Sequence, residues 1–171
     1  GRLHEVPEAT LAGWIRSAGF FNVKARRLKA FAAMGAEVFG GRFDRLLALE
    51  TGRLRATLLG VNGIGPETAD SILLYAFERP VFVVDTYTHR LLRRHGLHPG
   101  GGYEEVRIFL EERIEPELYN DFHAQIVWVG NRFCGTKPRC EDCPLRDLLP
   151  ADGPRPDQEL TGDRPGGRKV K

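Results

Sequence analysis

Two glycines one residue apart, followed by a proline, divide the stretch LLGVNGIGPETADSILLYAFERPVFVVD (residues 58–85) into two helical halves. The pattern Gly63-Ile64-Gly65-Pro66 fits a tight hairpin between two helices. Glycine, lacking a Cβ, can take left-handed backbone angles and lets another group come close. Pro66 suits the first position of the second helix, where an N–H would have no partner. Bare N–H groups at such a helix start attract anions, and a phosphate fits. After that helix comes a short apolar run, VFVV, ending in one acid, Asp85.

The remaining pattern is helical. Leu11, Trp14, Ile15 and Ala18 predict a first helix, stopped by Gly19. A second is expected over residues 23–38, with Asn22 as its N-cap and Gly40-Gly41 as its stop. Further helices are expected over residues 44–49, 52–59, 66–77, from Thr86 as N-cap to 94, 103–114 and 118–133. Residues 81–84 read as an extended apolar run with no partner strand, and residues 95–102 as a loop. The fold class is all-α. Residues 1–150 are read as one domain containing a cysteine loop at 134–148. Residues 151–171, rich in Pro, Gly and charge, read as a disordered tail.

With 171 residues, 42% of them hydrophobic, the chain can bury the core of one ordinary domain or of two small lobes. No apolar run approaches the roughly 18 residues of a membrane span, and no secretory signal stands out. We therefore expect a cytoplasmic monomer, associated with the nucleoid if the source is bacterial. The net charge of +2 is unevenly placed: Lys24, Arg26, Arg27 and Lys29 share one predicted helix, and Arg90, Arg93 and Arg94 follow Asp85. Such clusters suit a phosphate backbone; the competing reading is two solvated helix faces.

The hairpin run LLGVNGIGPETAD, the segment VVDTYTHR and the cysteines Cys134, Cys140 and Cys143 occur in an order that resembles the helix-hairpin-helix DNA glycosylases of the endonuclease III superfamily. The resemblance covers roughly residues 3–148. Against the family pattern the chain begins part-way into the domain, without its first helices. What the resemblance implies is an enzyme of base excision repair that flips a damaged or mismatched base out of double-stranded DNA and cuts its N-glycosidic bond. Gly63, Ile64 and Gly65 would grip backbone phosphates, aided by Lys24, Lys137 and Arg139. Asp85 would be the catalytic carboxylate. Its competing reading is an N-cap for the helix that follows. Bifunctional members carry a lysine two residues past the second hairpin glycine. Here that position is Glu67, and no lysine stands between Lys29 and Lys137. A monofunctional glycosylase is expected; a glycosylase with lyase activity and a non-catalytic DNA-binding module are the alternatives. Glu67 itself is either a second carboxylate that positions water or a residue favoured by the helix dipole.

The family's cysteine loop carries an iron–sulfur cluster of the 4Fe-4S type. It spaces four cysteines by six, two and five residues, whereas this chain has five, then two, and Leu149 where the fourth would fall. A four-iron cluster normally takes four thiolates. A cluster completed by another ligand such as Asp147, a three-iron cluster, a zinc ion or no metal all remain open. Phe20, Phe21, Tyr75, Tyr87 and Trp128 are candidates to stack on a flipped base, and His123 reads as a structural histidine.

Overall fold

The computed structural model describes residues 3–42, 44–98 and 100–156. It is helical, with no strand among the described residues. Among the described residues eight α-helices follow in order: α1 (Glu8–Trp14), α2 (Phe21–Phe39), α3 (Asp44–Leu47), α4 (Thr51–Leu59), α5 (Pro66–Ala76), α6 (Thr86–Arg94), α7 (Tyr103–Glu111) and α8 (Tyr119–Arg132). None of the described helices is long and apolar enough to cross a membrane. The chain divides into two compact units, Gly1–Val81 and Phe82–Lys171.

In the first unit, α4 and α5 pack around the hairpin. Leu54, Leu58, Val61, Ile64, Ala69 and Leu73 bury their side chains together with Phe39, Leu46 and Val81. Burying each large aliphatic side chain contributes about 1.5–3 kcal/mol, so this cluster is what sets the angle between the two helices. A second patch, Leu11, Ala12 and Ala25, joins α1 to α2. The N-cap of α2 is Phe20, not Asn22, which lies within the helix. Phe20 takes the left-handed conformation (φ 47°, ψ 32°) directly after Gly19 at φ 64°. The chain thereby reverses out of a short 3-10 turn, Arg16–Ala18, and α2 starts at Phe21. A side-chain cap would have required extended backbone at this point, which the reversal does not provide. The helix ends at Gly40, as expected. After α5, Arg79 Nη2 donates to Leu47 O at 2.6 Å and to Leu49 O at 3.3 Å, satisfying carbonyls at the end of α3.

In the second unit the extended run after Val81 is buried, and Phe82, Val83 and Val84 are each at most 1% exposed. Its lack of a partner strand is resolved by side chains of α7 and its start. Phe82 N–H donates to Glu111 Oε1 at 2.9 Å, and Val84 N–H donates to Tyr103 Oη at 3.4 Å. Buried backbone donors need such acceptors. The Phe82 ring stands edge-on to Tyr119, with centroids 5.4 Å apart. In this unit α6 and α8 approach closely because Gly130 has no side chain. A Cβ there would fall 2.6 Å from the Tyr87 Cβ. Residues 151 and 152 form a turn, and the Arg155 N–H donates to Arg94 O at 3.1 Å. The rest of the expected tail, residues 157–171, lies outside the described residues, as does Pro99 in the expected loop.

Candidate functional site

The hairpin is built from the inside out. Ile64 is buried in the core of the first unit, and its N–H donates to Val61 O at 3.0 Å. It therefore anchors the turn, leaving Gly63 and Gly65 as the exposed residues. Gly63 takes φ 88°, a conformation that favours glycine, and a Cβ there would meet the Arg27 Cγ at 2.6 Å unless that side chain moved. Gly65 is different. It is extended (φ −93°, ψ 178°) and serves as N-cap of α5, with Pro66 at the first turn. Glu67 and Thr68 are exposed on that turn, where a carboxylate favours the helix dipole.

Behind the hairpin lies an ion pair that the sequence pattern did not reveal. Arg55 of α4 donates from Nε to Asp70 Oδ1 at 2.6 Å and from Nη2 to Asp70 Oδ2 at 2.9 Å. Asp70 is fully buried and the Arg55 side chain is 18% exposed. Two parallel hydrogen bonds to a buried carboxylate fix both helices that flank the turn.

The basic cluster of α2 is divided among separate tasks. Lys24 Nζ donates to Ala18 O at 2.5 Å, Lys29 Nζ donates to Val6 O at 2.6 Å, and Arg26 pairs with Glu8 at 3.6 Å. Lys24 and Arg27 line an open, mostly apolar groove with Leu28, Phe31, Ile64 and Ile72. Phe20 is 87% exposed beside it in sequence, whereas Phe21 packs against the patch of Leu11, Ala12 and Ala25.

In the second unit Asp85 is the N-cap of α6, and Thr86 is the first helical residue rather than the cap. Asp85 Oδ1 accepts from Thr88 N–H at 2.7 Å and from Thr88 Oγ1 at 2.9 Å. The capping reading of Asp85 is therefore realised, and it leaves the second oxygen available. Oδ2 lies 3.8 Å from His123 Nε2 on α8. Burial holds the His123 imidazole below the usual histidine range, with the Asp85 charge opposing. His89, one turn along α6, is also held low, by burial first and then by Arg93, again against Asp85. Both imidazoles are therefore neutral at neutral pH. His123 reads in the sequence only as a structural histidine, and its separation from Asp85 along the chain carries no local signal of their approach.

Two of the arginines after Asp85, Arg90 and Arg94, turn to the cysteine loop instead of the phosphate-facing role expected. Arg94 is 3% exposed and turns inward, donating from Nη1 to Gly135 O at 2.7 Å and to Cys134 Sγ at 3.3 Å, and from Nη2 to Thr136 O at 3.2 Å. Arg90 Nη1 donates to Cys134 O at 2.9 Å. These helix residues hold the backbone of the cysteine loop. Arg139 likewise donates to Arg132 O, and its guanidinium lies 5.9 Å from the Phe133 ring centre, while Lys137 is exposed. Among the stacking candidates, Tyr87 is packed on Gly130, whereas Tyr75 and Trp128 are each 46% exposed.

Cys134, Cys140 and Cys143 line one pocket together with Leu91, Val129 and Leu149. Burial and the neighbouring thiols push the Cys140 thiol up, against the pull of Arg94. Leu149 occupies the wall where the sequence comparison expects a fourth thiolate, and Asp147 is not part of that wall. Among the described residues no group of three or more His, Cys, Asp or Glu side chains is placed to hold a metal ion. The residues present do not fit a cluster that needs four thiolates.

A helix-hairpin-helix turn, an aspartate capping the helix after a buried extended run, and a cysteine loop define a DNA-repair class of fold. The chain belongs to the HhH-GPD superfamily of base excision DNA repair proteins, whose model matches residues 1–116. It is similar to a protein of Methanocaldococcus jannaschii named as a DNA repair glycosylase, 40% identical over 151 residues, covering 86% of this chain and 69% of that one. Endonuclease III of Sulfolobus acidocaldarius is 31% identical over 140 residues, covering 81% of this chain and 60% of the relative. Among solved structures, a non-covalent endonuclease III–DNA complex superposes with a TM-score of 0.70 at 28% identity, covering 86% of this chain and 66% of that one. The chain thus spans about three fifths to two thirds of the length of these relatives.

Proposed function

We propose that this protein is a DNA glycosylase of base excision repair, which hydrolyses the N-glycosidic bond of a damaged or mismatched base flipped out of double-stranded DNA. The observation that carries this reading is the Asp85 carboxylate. It is fixed through one oxygen by Thr88 at the start of α6, in a chain of this repair family. The relatives named as a DNA repair glycosylase and as endonuclease III support the same reading.

Breaking the bond leaves positive charge on the sugar, and an ionised carboxylate close to that carbon stabilises it. The two hydrogen bonds from Thr88 hold the Asp85 carboxylate in place at one oxygen. The hairpin's part is to hold backbone phosphates through exposed main-chain groups at Gly63 and Gly65, a contact indifferent to base sequence. Lys24, Lys137 and Arg139 add positive charge to DNA binding.

Water is the nucleophile in this reading, because Glu67 stands where a lyase would place a lysine. The product is an abasic site, and no step is routed through the cysteine loop. Lesion choice lies between alkylated purines, which suit lysine-lacking branches, and oxidised or mismatched bases. A panel of single-lesion duplexes, scored with and without hot alkali, tests the proposal. Cleavage only after alkali is the expected result. Cleavage without alkali, with a borohydride-trapped adduct, identifies a lyase. No release from any lesion leaves a DNA-binding module.

A further inference from the structure

The two oxygens of Asp85 face different helices. Oδ1 is taken up by Thr88 of α6 through two hydrogen bonds, at 2.7 and 2.9 Å. Oδ2 lies toward α8, where His123 Nε2 stands 3.8 Å away. Neither side chain is free to wander: His123 is 7% exposed and Asp85 14%. The His123 ring is set perpendicular to Phe82 at a centroid distance of 6.3 Å. The separation between α6 and α8 is fixed by the Tyr87–Gly130 contact, which tolerates no added carbon.

We infer that His123 is a positioning residue for Asp85, its Nε2–H closing on Oδ2 to fix the plane of the carboxylate that faces the reacting sugar. The inference rests on the glycosylase reading of Asp85. A carboxylate held at one oxygen only can swing about its Cβ–Cγ bond, because terminal torsions of this kind are soft. A second donor, from another helix, removes that freedom before the substrate arrives, which is where preorganised electrostatics gains its effect. No proton changes hands. Burial holds the imidazole below the usual histidine range, and the proposed contact places its one proton on Nε2. On α6, His89 also feels the Asp85 charge, together with those of Arg93 and His98. Closing the gap takes a shift of less than 1 Å to reach ordinary hydrogen-bond range.

The test uses single-turnover base release, DNA affinity and thermal unfolding for the wild type, Asp85→Asn, His123→Leu and His123→Gln. Glutamine can present an amide N–H where Nε2 stands, whereas leucine fills the space without a donor. The expected result is a loss of roughly 10- to 100-fold in the release rate for His123→Leu, the effect of losing one hydrogen bond to a charged group. Affinity and Tm should stay near the wild type, and His123→Gln should recover most of the rate. Full activity in His123→Leu beside an inert Asp85→Asn overturns the inference and leaves the glycosylase reading intact. Parallel losses of rate and Tm in both His123 variants also overturn it, since that is a packing role. An inert wild type refutes the glycosylase reading instead. NMR titration of His123 then decides the contact by itself. A His123 pKa that falls in Asp85→Asn supports it, and an unchanged pKa overturns it.

Discussion

Arg55 and Asp70 clasp the hairpin from behind: the guanidinium meets both carboxylate oxygens at 2.6 and 2.9 Å, one residue on the helix before the turn and the other on the helix after it. Asp70 has no access to solvent, and Arg55 meets both of its carboxylate oxygens. Removing one partner of such a pair costs about 3–5 kcal/mol, because the other charge is left buried. Arg55→Ala should therefore lower stability by that amount in denaturant unfolding. Asp70→Ala should cost less, since Arg55 is 18% exposed and retains some water. Equal, small effects from both would show that the pair does not set the hairpin.

Gly63→Ala tests the turn itself. The residue sits at φ 88°, and an added Cβ meets the side chain of Arg27. Arg27 can move aside, but the backbone conformation cannot be relieved without reshaping the hairpin. A cost of about 1 kcal/mol or more is expected. Duplex affinity should fall for every sequence alike, because the contact is to phosphates. Gly65→Ala is the control: its extended backbone and open surroundings predict a smaller loss of stability.

Much of this was legible in the chain. The helices around Pro66 and Thr86, the hairpin glycines and the all-helical class follow from periodicity and from Gly and Pro placement, which act over a few residues. What escaped is long in range. Whether Arg94 meets phosphates or carbonyls depends on a loop 40 residues downstream, and its guanidinium went to Cys134, Gly135 and Thr136. The pairing of Arg55 with Asp70 and the approach of His123 to Asp85 likewise need the folded packing. Asn22 misled for a local reason: the left-handed turn at Gly19 and Phe20 starts the helix before a side-chain cap can form.

Gly130→Val should separate α6 from α8, because the Tyr87 ring occupies the space a side chain would take. Overpacking of this kind costs about 1–3 kcal/mol. Base release should fall by more than stability alone accounts for, since Asp85 stands on one side of that seam and His123 on the other. Wild-type release rates in a folded Gly130→Val protein would contradict this.

Stability should also fall on mild acidification. His89 and His123 both sit below their usual value of 6.5 in the folded protein. Between that value and the lower folded ones, the unfolded chain binds more protons, so unfolding becomes easier as pH falls below about 6.5. The drop in Tm from about pH 7.5 to about pH 5.5 should be smaller in His89→Gln than in the wild type. An identical drop in the two proteins would show that His89 is not buried as described.

The cysteine loop makes a chemical prediction. With Leu149 in the wall and three thiols in the pocket, the purified chain should hold well below four irons per molecule by iron and sulfide analysis. A full complement of four irons would show that a ligand other than cysteine completes the set.

The most direct measurement is base release by the wild type and by Asp85→Asn on the duplex that the lesion panel identifies, with DNA affinity measured on the same samples. The account predicts release by the wild type, none above background by Asp85→Asn, and duplex affinities within a few-fold of each other. Release by Asp85→Asn at the wild-type rate would contradict it, leaving Asp85 as the cap of α6 and nothing more.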